Sequence, residues 1–333
     1  MTPLLEVDEL VVEMRRHRRA FRAVDGVSFS LERGGALAIV GESGSGKSLT
    51  LRAIMGLLPG SGRLTSGRVI VDGVELDVAA RGRGRGHRQR ERLSIIFQDA
   101  LSALNPVATV GHQIAEAPRH VLGLSRGAAR SRALDLLRQV GIPDPERRYR
   151  AYPHELSGGT RQRVMIAIAL SSDPSILLCD EPTTALDVTI QTQILALLAE
   201  LRDQRGLSLV FVTHDLGVAG QVAEDLAVMY TGRIVETGPT AAVLAVPRHP
   251  YTAGLLAAAI DVDTPEREPL SIPGALPDPQ QLPSGCTFHP RCGFATPECV
   301  TTAIALVPVG AGRLAACLHS DALAAAQAAP NRG

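Results

Sequence analysis

Residues 41–48 read Gly-Glu-Ser-Gly-Ser-Gly-Lys-Ser and constrain the fold more than any other part of the chain. Glycines here let backbone N–H groups close around phosphate oxygens, while Lys47 can reach the β- and γ-phosphates and the Ser48 hydroxyl can bind Mg²⁺. The apolar run 36–40 predicts a buried strand before this loop, and residues 49–58 predict a helix whose N-terminus faces the anion. A chance glycine-rich turn would not place Lys and Ser in this way between a strand and a helix. The candidate nucleotide-binding residues of this P-loop are Gly41, Ser43, Gly44, Ser45, Gly46, Lys47, Ser48 and Leu49.

The N-terminus of a second predicted helix is also suited to anion binding. Ser157, Gly158 and Gly159 precede the apolar stretch 164–170, and a helix opened by small residues can offer its N-terminal N–H groups to a phosphate. The chain thus carries two anion-binding helix starts. They cannot easily share one nucleotide within a monomer.

Two acidic residues follow the apolar stretch 176–179. Asp180 ends this predicted strand, which places a carboxylate for Mg²⁺ at the carboxyl end of a parallel sheet, beside the P-loop. Glu181 then points elsewhere and is free to orient or deprotonate an attacking water. A solvated strand end is the common alternative for an Asp-Glu pair. His214 follows another apolar stretch, 207–212, where a lone histidine would more often be structural.

In this order, the segments resemble those of the ATP-binding cassette (ABC) proteins. The resemblance implies a head-to-tail dimer in which each ATP lies between one chain's P-loop and the partner's signature residues, Ser157, Gly158 and Gly159. It also implies that Glu181 is the general base and that His214 is the switch histidine that contacts the γ-phosphate.

The same resemblance assigns roles to three further positions. Gln98 matches the Q-loop glutamine that reaches Mg²⁺ and the nucleophilic water, and its flank 99–106 would touch a membrane subunit. Asp187 falls in the D-loop that contacts the other cassette. Phe21 resembles the aromatic residue that stacks on adenine through its π face, although an ordinary strand aromatic is the alternative. Thr160 stands where the family usually has Gln, and it leaves the Ser and Gly contacts of the signature intact.

The order of apolar and helical stretches predicts the domain organisation. Residues 1–245 are expected to form an α/β, ABC-type P-loop cassette, with a RecA-like core, an antiparallel β subdomain (5–13, 21–32 and 67–74) and a helical signature subdomain (111–141). Repeated prolines then interrupt the chain, so residues 246–333 are predicted to form a second, loop-rich domain. The small and polar residues 322–333 are expected to fray.

The C-terminal region narrows the resemblance. Residues 247–256, Pro-Arg-His-Pro-Tyr-Thr-Ala-Gly-Leu-Leu, resemble the segment that follows the cassette in D-type dipeptide and oligopeptide import ATPases. The resemblance covers practically the whole chain. It implies an ATPase subunit that powers peptide import together with two permease subunits, an extracytoplasmic substrate-binding protein and a second ABC ATPase, for which it favours a sister chain over a second copy. Relatives that transport nickel complexes or glutathione are the alternative.

Four of the five cysteines lie in the C-terminal region. Cys179, the fifth, is expected to be a buried small hydrophobe. Four thiolates suit a metal, but no Cys-x-x-Cys pair occurs, so the spacing is not that of a zinc ribbon, and a cytosolic location would disfavour disulfides. The resemblance implies a 4Fe–4S cluster, with a Zn²⁺ site or unligated thiols as the alternatives. Its candidate ligands are Cys286, Cys292, Cys299 and Cys317.

Composition argues against several other classes of protein. The net charge of zero suggests no nucleic-acid partner, and the arginine-rich stretch 81–92 is interpreted as a solvated loop. The first ten residues do not resemble a signal peptide, and no stretch approaches the roughly 20 apolar residues of a membrane helix, so we expect the chain on the cytoplasmic face, attached through its permease. A soluble ABC ATPase of DNA repair or translation predicts a second cassette, a coiled coil or a basic face. A structural metal protein with a degenerate cassette would be expected to lack a catalytic residue. The sequence shows neither a missing catalytic residue nor any of the features expected of a DNA-repair or translation ATPase.

Overall fold

The computed structural model describes residues 2–17, 19–78, 91–184, 186–258 and 272–328. No helix in these ranges is both long and apolar enough to cross a membrane. The strands are β1 (Leu5–Arg16), β2 (Arg19–Leu31), β3 (Ala36–Val40), β4 (Gly62–Val71), β5 (Val74–Glu75), β6 (Leu93–Ile96), β7 (Ile176–Asp180), β8 (Ser208–Thr213), β9 (Asp225–Tyr230), β10 (Arg233–Pro239), β11 (Val307–Pro308) and β12 (Leu314–Ala315). The α-helices are α1 (Lys47–Met55), α2 (Ala100–Ala103), α3 (Val110–His120), α4 (Arg126–Gln139), α5 (Pro145–Arg150), α6 (Gly158–Ser171), α7 (Val188–Arg205), α8 (Leu216–Val222), α9 (Thr240–Ala245), α10 (Pro250–Ala258), α11 (Pro297–Thr301) and α12 (Ser320–Ala328).

The larger sheet positions the site. Its strand order is β11-β12-β10-β9-β3-β8-β7-β6, in which the strands from β9 to β6 are parallel. Strands β3, β7 and β8 are buried along their whole length, as expected for apolar parallel strands covered on both faces. Because parallel strands end at the same edge, the loops that follow β3, β7 and β8 meet there. The predicted α/β cassette core is confirmed.

The smaller sheet, β2-β1-β4-β5, is antiparallel and contains the three predicted strands of the β subdomain. The N–H of Asp25 in β2 donates to the carbonyl of Gly232 at 2.8 Å, which ties this sheet to the turn between β9 and β10. At the far end of β4, Asp72 forms an ion pair with Arg92. The rest of the predicted arginine-rich loop, up to residue 90, lies outside the described residues.

Two helix predictions need correction. Helix α1 begins at Lys47, earlier than predicted, and ends at Met55 because Gly56 adopts the left-handed conformation, with φ of +68°. The stretch predicted as helical over 111–141 contains two helices, α3 and α4. They separate because the Ser125 side chain accepts a hydrogen bond from the N–H of Ala128 and so begins a new helix.

The C-terminal residues pack on the larger sheet. Strand β12 pairs with β10, and Tyr251 and Phe288 join the same apolar cluster as Tyr230 of β9. Ring centroids in this aromatic group lie 4.6 to 5.4 Å apart. Helix α12 continues to residue 328 and buries Leu323, so the expected fraying from residue 322 is wrong for this part of the tail. Residues 329–333 lie outside the described residues.

Candidate functional site

The P-loop connects β3 to α1 and is closely enclosed by backbone. A Cβ on Gly41 would lie 2.2 Å from the Met229 carbonyl oxygen, and one on Gly46, whose φ is +108°, would lie 2.6 Å from that of Ala23. Side chains at these positions would therefore push the loop off the sheet. The loop keeps the compact shape in which backbone N–H groups can surround an anion.

Lys47 is buried and bonds to its own loop. Its Nζ donates to the carbonyl oxygens of Gly41 at 2.7 Å and Glu42 at 3.0 Å. Burial lowers the pKa of Lys47, while the nearby carboxylates of Glu181, Asp180 and Glu42 act in the opposite direction. A cation held in this way can move onto a phosphate oxygen with little loss of hydrogen bonding.

The Ser48 and Asp180 side chains place two oxygen atoms close together beside the P-loop. The Ser48 hydroxyl donates to Oδ1 of Asp180 at 2.6 Å, and Asp180 is buried at the carboxyl end of β7. Burial raises the pKa of Asp180, whereas the Ser48 hydrogen bond and the charge of Arg52 lower it. Carboxylate and hydroxyl oxygens beside a phosphate site are the ligands that Mg²⁺ uses, so the residues present fit this ion.

Glu181 is the centre of a polar cluster. Its φ of +45° lies in the left-handed region, which is uncommon for a residue other than glycine and often marks a functional site. Its Oε2 accepts from Thr184 Oγ1 at 2.8 Å and lies 3.2 Å from His214 Nδ1 and 3.4 Å from Gln98 Nε2, while its Oε1 lies 3.9 Å from Lys47 Nζ. A carboxylate oriented in this way can accept a proton from a water molecule beside the phosphate site.

A cavity of about 1070 Å³ opens above the P-loop. It is large enough for a nucleotide, since ligand pockets commonly measure about 300–1,000 Å³. Phe21 lines it, as predicted for an adenine contact, and Met14 lies on the same wall. Two predicted P-loop residues, Gly41 and Ser45, are buried and do not line the cavity. The other predicted residues that line the cavity are Ser43, Gly44, Gly46, Lys47, Ser48, Leu49, Gln98, Glu181 and His214.

The signature residues lie elsewhere. Ser157 caps helix α6: its Oγ accepts from the N–H of Thr160 at 3.4 Å and lies 2.8 Å from the Thr160 hydroxyl. Ser157 and Gly158 are exposed, and the residues lining the cavity do not include the signature. Asp187, the predicted D-loop residue, is also exposed and caps α7 by accepting from the N–H of Ile190 at 2.9 Å. The N-terminus of helix α6, which carries the signature residues, is therefore available to a nucleotide outside the chain's own cavity.

The structure does not support the predicted 4Fe–4S cluster or its Zn²⁺ alternative. Among the described residues, which include Cys286, Cys292, Cys299 and Cys317, no three His, Cys, Asp or Glu side chains form a group that could hold a metal ion. Two of the thiols instead contact His319. The Cys299 sulfur lies 3.6 Å from Nε2 of His319, and the Cys317 sulfur accepts from the N–H of the same histidine at 3.3 Å.

Sequence reasoning missed three residues that contact the P-loop region. The Arg291 guanidinium binds the Glu42 carboxylate, the Tyr251 hydroxyl accepts from the Glu42 N–H, and Leu276 lines the cavity. Tyr251 belongs to the His-Pro-Tyr segment, so that segment carried a usable signal. Arg291 and Leu276 fall in no motif, and their partners are distant in the sequence.

The fold and the site define a P-loop nucleotide hydrolase. In agreement, residues 24–184 match the family profile described as ABC transporter, and residues 235–299 match the one described as oligopeptide/dipeptide transporter, C-terminal region. The fold also resembles that of cbiO1 of Clostridium perfringens, part of the ABC transporter complex cbiONQ, with a TM-score of 0.62 and 29% identity over 74% of this chain and 92% of that chain. A similar match is the dimeric ATP-binding cassette MJ0796 in a post-hydrolysis state with ADP and Pi, with a TM-score of 0.62 and 28% identity over 71% of this chain and 98% of that chain.

Similar sequences give a narrower family. The chain is 45% identical to the dipeptide transport ATP-binding protein DppD of Escherichia coli (strain K12) over 94% of its own length and 96% of that protein. It is 46% identical to the oligopeptide transport ATP-binding protein OppD of Mycobacterium tuberculosis over 99% of its length, and spans 54% of that longer protein. The chain belongs to the ABC transporter family, within its peptide transport ATP-binding proteins, and is an ATP hydrolase.

Proposed function

We propose that this chain is the ATPase subunit that powers import of dipeptides or oligopeptides through a membrane permease. The observation that carries the proposal is the combination of a complete hydrolysis site with the peptide-transporter C-terminal region at residues 235–299. The relatives are named for dipeptide and oligopeptide transport, which favours peptides over nickel complexes or glutathione as the cargo. The chain would lie on the cytoplasmic face of the membrane, attached through its permease.

The proposed roles follow from the geometry of the site. Lys47 would leave the carbonyls of its own loop and bind the β- and γ-phosphates of ATP. Ser48 and Asp180, with Gln98, would hold Mg²⁺, which when bound neutralises developing charge on the phosphates. Glu181 would accept a proton from the attacking water.

His214 and Phe21 complete the proposed nucleotide contacts. His214 lies 3.2 Å from Glu181, so it can contact the γ-phosphate and the base together. Phe21 would stack on the adenine at the other end of the cavity.

The exposed signature supports a head-to-tail dimer. Ser157, Gly158 and Gly159 would bind the ATP held by a partner cassette, with Asp187 at the contact between the two chains. Val188, the next residue, is 81% exposed, as expected for a side chain that a partner covers. A cysteine placed in this P-loop should crosslink to a cysteine placed in the signature of the partner, whether that partner is a sister ATPase or a second copy. Crosslinks formed only within one chain would contradict this arrangement.

The segment beside Gln98 would transmit cassette closure to the permease. Leu101 is 58% exposed and Val107 is 82% exposed, and both follow Gln98 closely in the chain. Apolar side chains exposed next to a catalytic residue suit a docking site for a membrane subunit.

Peptide uptake by the native host tests the cargo. Removal of this chain should abolish uptake of a labelled dipeptide or oligopeptide, the wild-type chain should restore it, and the matched variant Glu181→Gln should not. If removal of the chain abolished uptake of nickel or glutathione and left peptide uptake intact, the cargo would be nickel complexes or glutathione instead. If all three kinds of uptake survived removal of the chain, the transport proposal would be wrong.

Metal binding by the four C-terminal cysteines is independent of the proposed transport function. Burial and, to a smaller extent, the neighbouring thiols of Cys292, Cys286 and Cys299 raise the pKa of Cys317 to about 11 against the opposing His319 N–H hydrogen bond, so the four sulfurs share one region. A 4Fe–4S cluster would need these side chains to turn toward one another. Iron and acid-labile sulfide in equal amounts, in protein prepared without oxygen, would establish the cluster; zinc without sulfide would establish a zinc site, and no metal would leave free thiols.

A further inference from the structure

An ion pair joins the P-loop to the C-terminal region. The Arg291 guanidinium donates to both carboxylate oxygens of Glu42, at 2.7 and 2.9 Å. Only 4% of the Arg291 side chain is exposed. A two-point ion pair with a buried guanidinium fixes the relative orientation of its partners as well as their distance.

Two more contacts fix this junction. The Glu42 N–H donates to the Tyr251 hydroxyl at 2.8 Å, so the backbone and the side chain of Glu42 are both held by residues that follow the cassette. The guanidinium carbon of Arg291 lies 5.9 Å from the ring centre of Tyr230 and 5.8 Å from that of Phe288. These rings add cation–π attraction to the ion pair.

Arg291 also holds the segment that lies over the cavity. Its Nε donates to the Pro273 carbonyl at 2.8 Å, near the start of residues 272–280. At the other end, the Gln280 side chain donates to the Arg16 carbonyl of β1 at 3.0 Å. Residues 272–280, here called the cover segment, are thus tied to both sides of the nucleotide cavity.

The cover segment presents apolar side chains to the cavity. Ile272, Leu276, Pro277 and Pro279 are among the lining residues, and a Cβ on Gly44 of the P-loop would lie 3.4 Å from Leu276 Cδ2. The charged phosphates belong at the P-loop backbone and Lys47. Apolar groups beside them can therefore stabilise only the uncharged part of a nucleotide, its base and sugar.

We propose that the cover segment is part of the ATP site: it packs on the adenosine portion of the bound nucleotide, and Arg291 is the positioning residue that holds it there and fixes Glu42. The inference depends on nucleotide binding by this chain and not on the identity of the cargo. It makes the C-terminal region a contributor to ATP affinity.

Binding of two ligands tests the proposal. The affinities of ATP and of inorganic triphosphate, each with Mg²⁺, are measured on the full chain, with triphosphate as the probe that lacks adenosine. Leu276→Ala should weaken ATP binding by about fivefold, since a partly buried apolar side chain is lost, and leave triphosphate binding unchanged. Arg291→Gln should weaken both ligands, because the P-loop and the cover segment move together, and Arg291→Lys should recover only part of the loss.

Arg313→Gln is the matched control. Arg313 is another buried arginine of the C-terminal region, but its Nη1 donates to the carbonyls of Ala242 and Val246, away from the P-loop. The control should bind both ligands as the wild type does, which separates general loosening of this region from the proposed role.

Three results would overturn the proposal. The first is an unchanged ATP affinity in Leu276→Ala. The second is tighter ATP binding in that variant, which would make the segment an obstacle to the nucleotide. The third is an equal weakening of ATP and triphosphate binding by Leu276→Ala. A wild-type chain that binds neither ligand would refute nucleotide binding itself, a different failure.

Discussion

His249 should make the stability of this protein depend on pH. Its side chain is 1% exposed, and its Nδ1 accepts a hydrogen bond from the Tyr251 N–H at 3.1 Å. The neutral ring must therefore carry its proton on Nε2. Protonation of Nδ1 would set two donors against each other in a buried place and release Tyr251, whose hydroxyl contacts the P-loop at Glu42.

The size of the effect follows from the pKa. Burial lowers the pKa of His249 from 6.5 to about 3. Below the unfolded pKa the unfolded chain binds a proton that the native state does not, so stability is complete above pH 6.5 and is lost progressively as the pH falls toward 3. One pKa unit corresponds to about 1.4 kcal/mol, so the loss is roughly 2 kcal/mol at pH 5 and at most about 5 kcal/mol.

A neighbouring carboxyl acts in the opposite direction. Glu236 is buried and accepts from the backbone N–H groups of Arg248 at 2.8 Å and His249 at 2.9 Å. Burial raises the pKa of Glu236, with these hydrogen bonds partly opposing the shift. The native state therefore takes up a proton at this carboxyl before the unfolded state does. As the pH falls through this range, Glu236 adds stability, so a measurement on the wild type without a comparison variant would underestimate the His249 effect.

Comparison with His249→Asn isolates the histidine. Asparagine places a carbonyl oxygen near the position of Nδ1 and does not titrate, so the variant keeps an acceptor for the Tyr251 N–H and leaves Glu236 in place. The free energy of unfolding is measured in urea at about pH 7.5 and about pH 5 for both proteins. The wild type should lose roughly 2 kcal/mol more than His249→Asn between these conditions. A constant difference between the two proteins would show that His249 is not held neutral in the fold.

Two further variants test the catalytic centre. Glu181→Gln should keep ATP binding and reduce phosphate release by about 100-fold or more, because the general base is removed; turnover near the wild-type rate would contradict that role. Gly41→Ala should abolish nucleotide binding, because its Cβ would lie 2.2 Å from the Met229 carbonyl oxygen. The matched change Gly60→Ala meets no atom within 4 Å and should bind ATP normally, and equal behaviour of the two alanine variants would refute the steric argument.

Contiguous motifs made most of the site predictable from the sequence. Lys47, Asp180, Glu181 and His214 each end or follow a buried parallel strand, and a parallel sheet brings such positions to one edge whatever their separation in the chain. The geometry around Glu181 could not be predicted in the same way. Its left-handed φ and its hydrogen bond from Thr184 depend on the turn that follows β7.

Contacts that depend on tertiary packing were beyond the sequence. Arg291 and Glu42 are 249 positions apart, and neither residue type nor spacing indicates that they pair. The cysteines show a different limit, because four thiols in one segment satisfy the count of a metal site without fixing the directions of their side chains. The split between α3 and α4 was more accessible, since serine is a common helix-capping residue and Gly123 lies two positions before Ser125.

Glu42 connects the catalytic lysine to the C-terminal region. Its carbonyl accepts from Lys47 Nζ at 3.0 Å, its N–H donates to Tyr251, and its carboxylate binds Arg291. In the proposed binding mode, Lys47 would move to the phosphates of a bound nucleotide, and the Glu42 carbonyl would lose its hydrogen bond from Lys47. The Gly41 and Glu42 carbonyls would both lose this hydrogen bond, and Glu42 is the residue that Tyr251 and Arg291 also hold. Glu42 thus links the phosphate-binding lysine to Arg291, which in turn holds the cover segment through the Pro273 carbonyl.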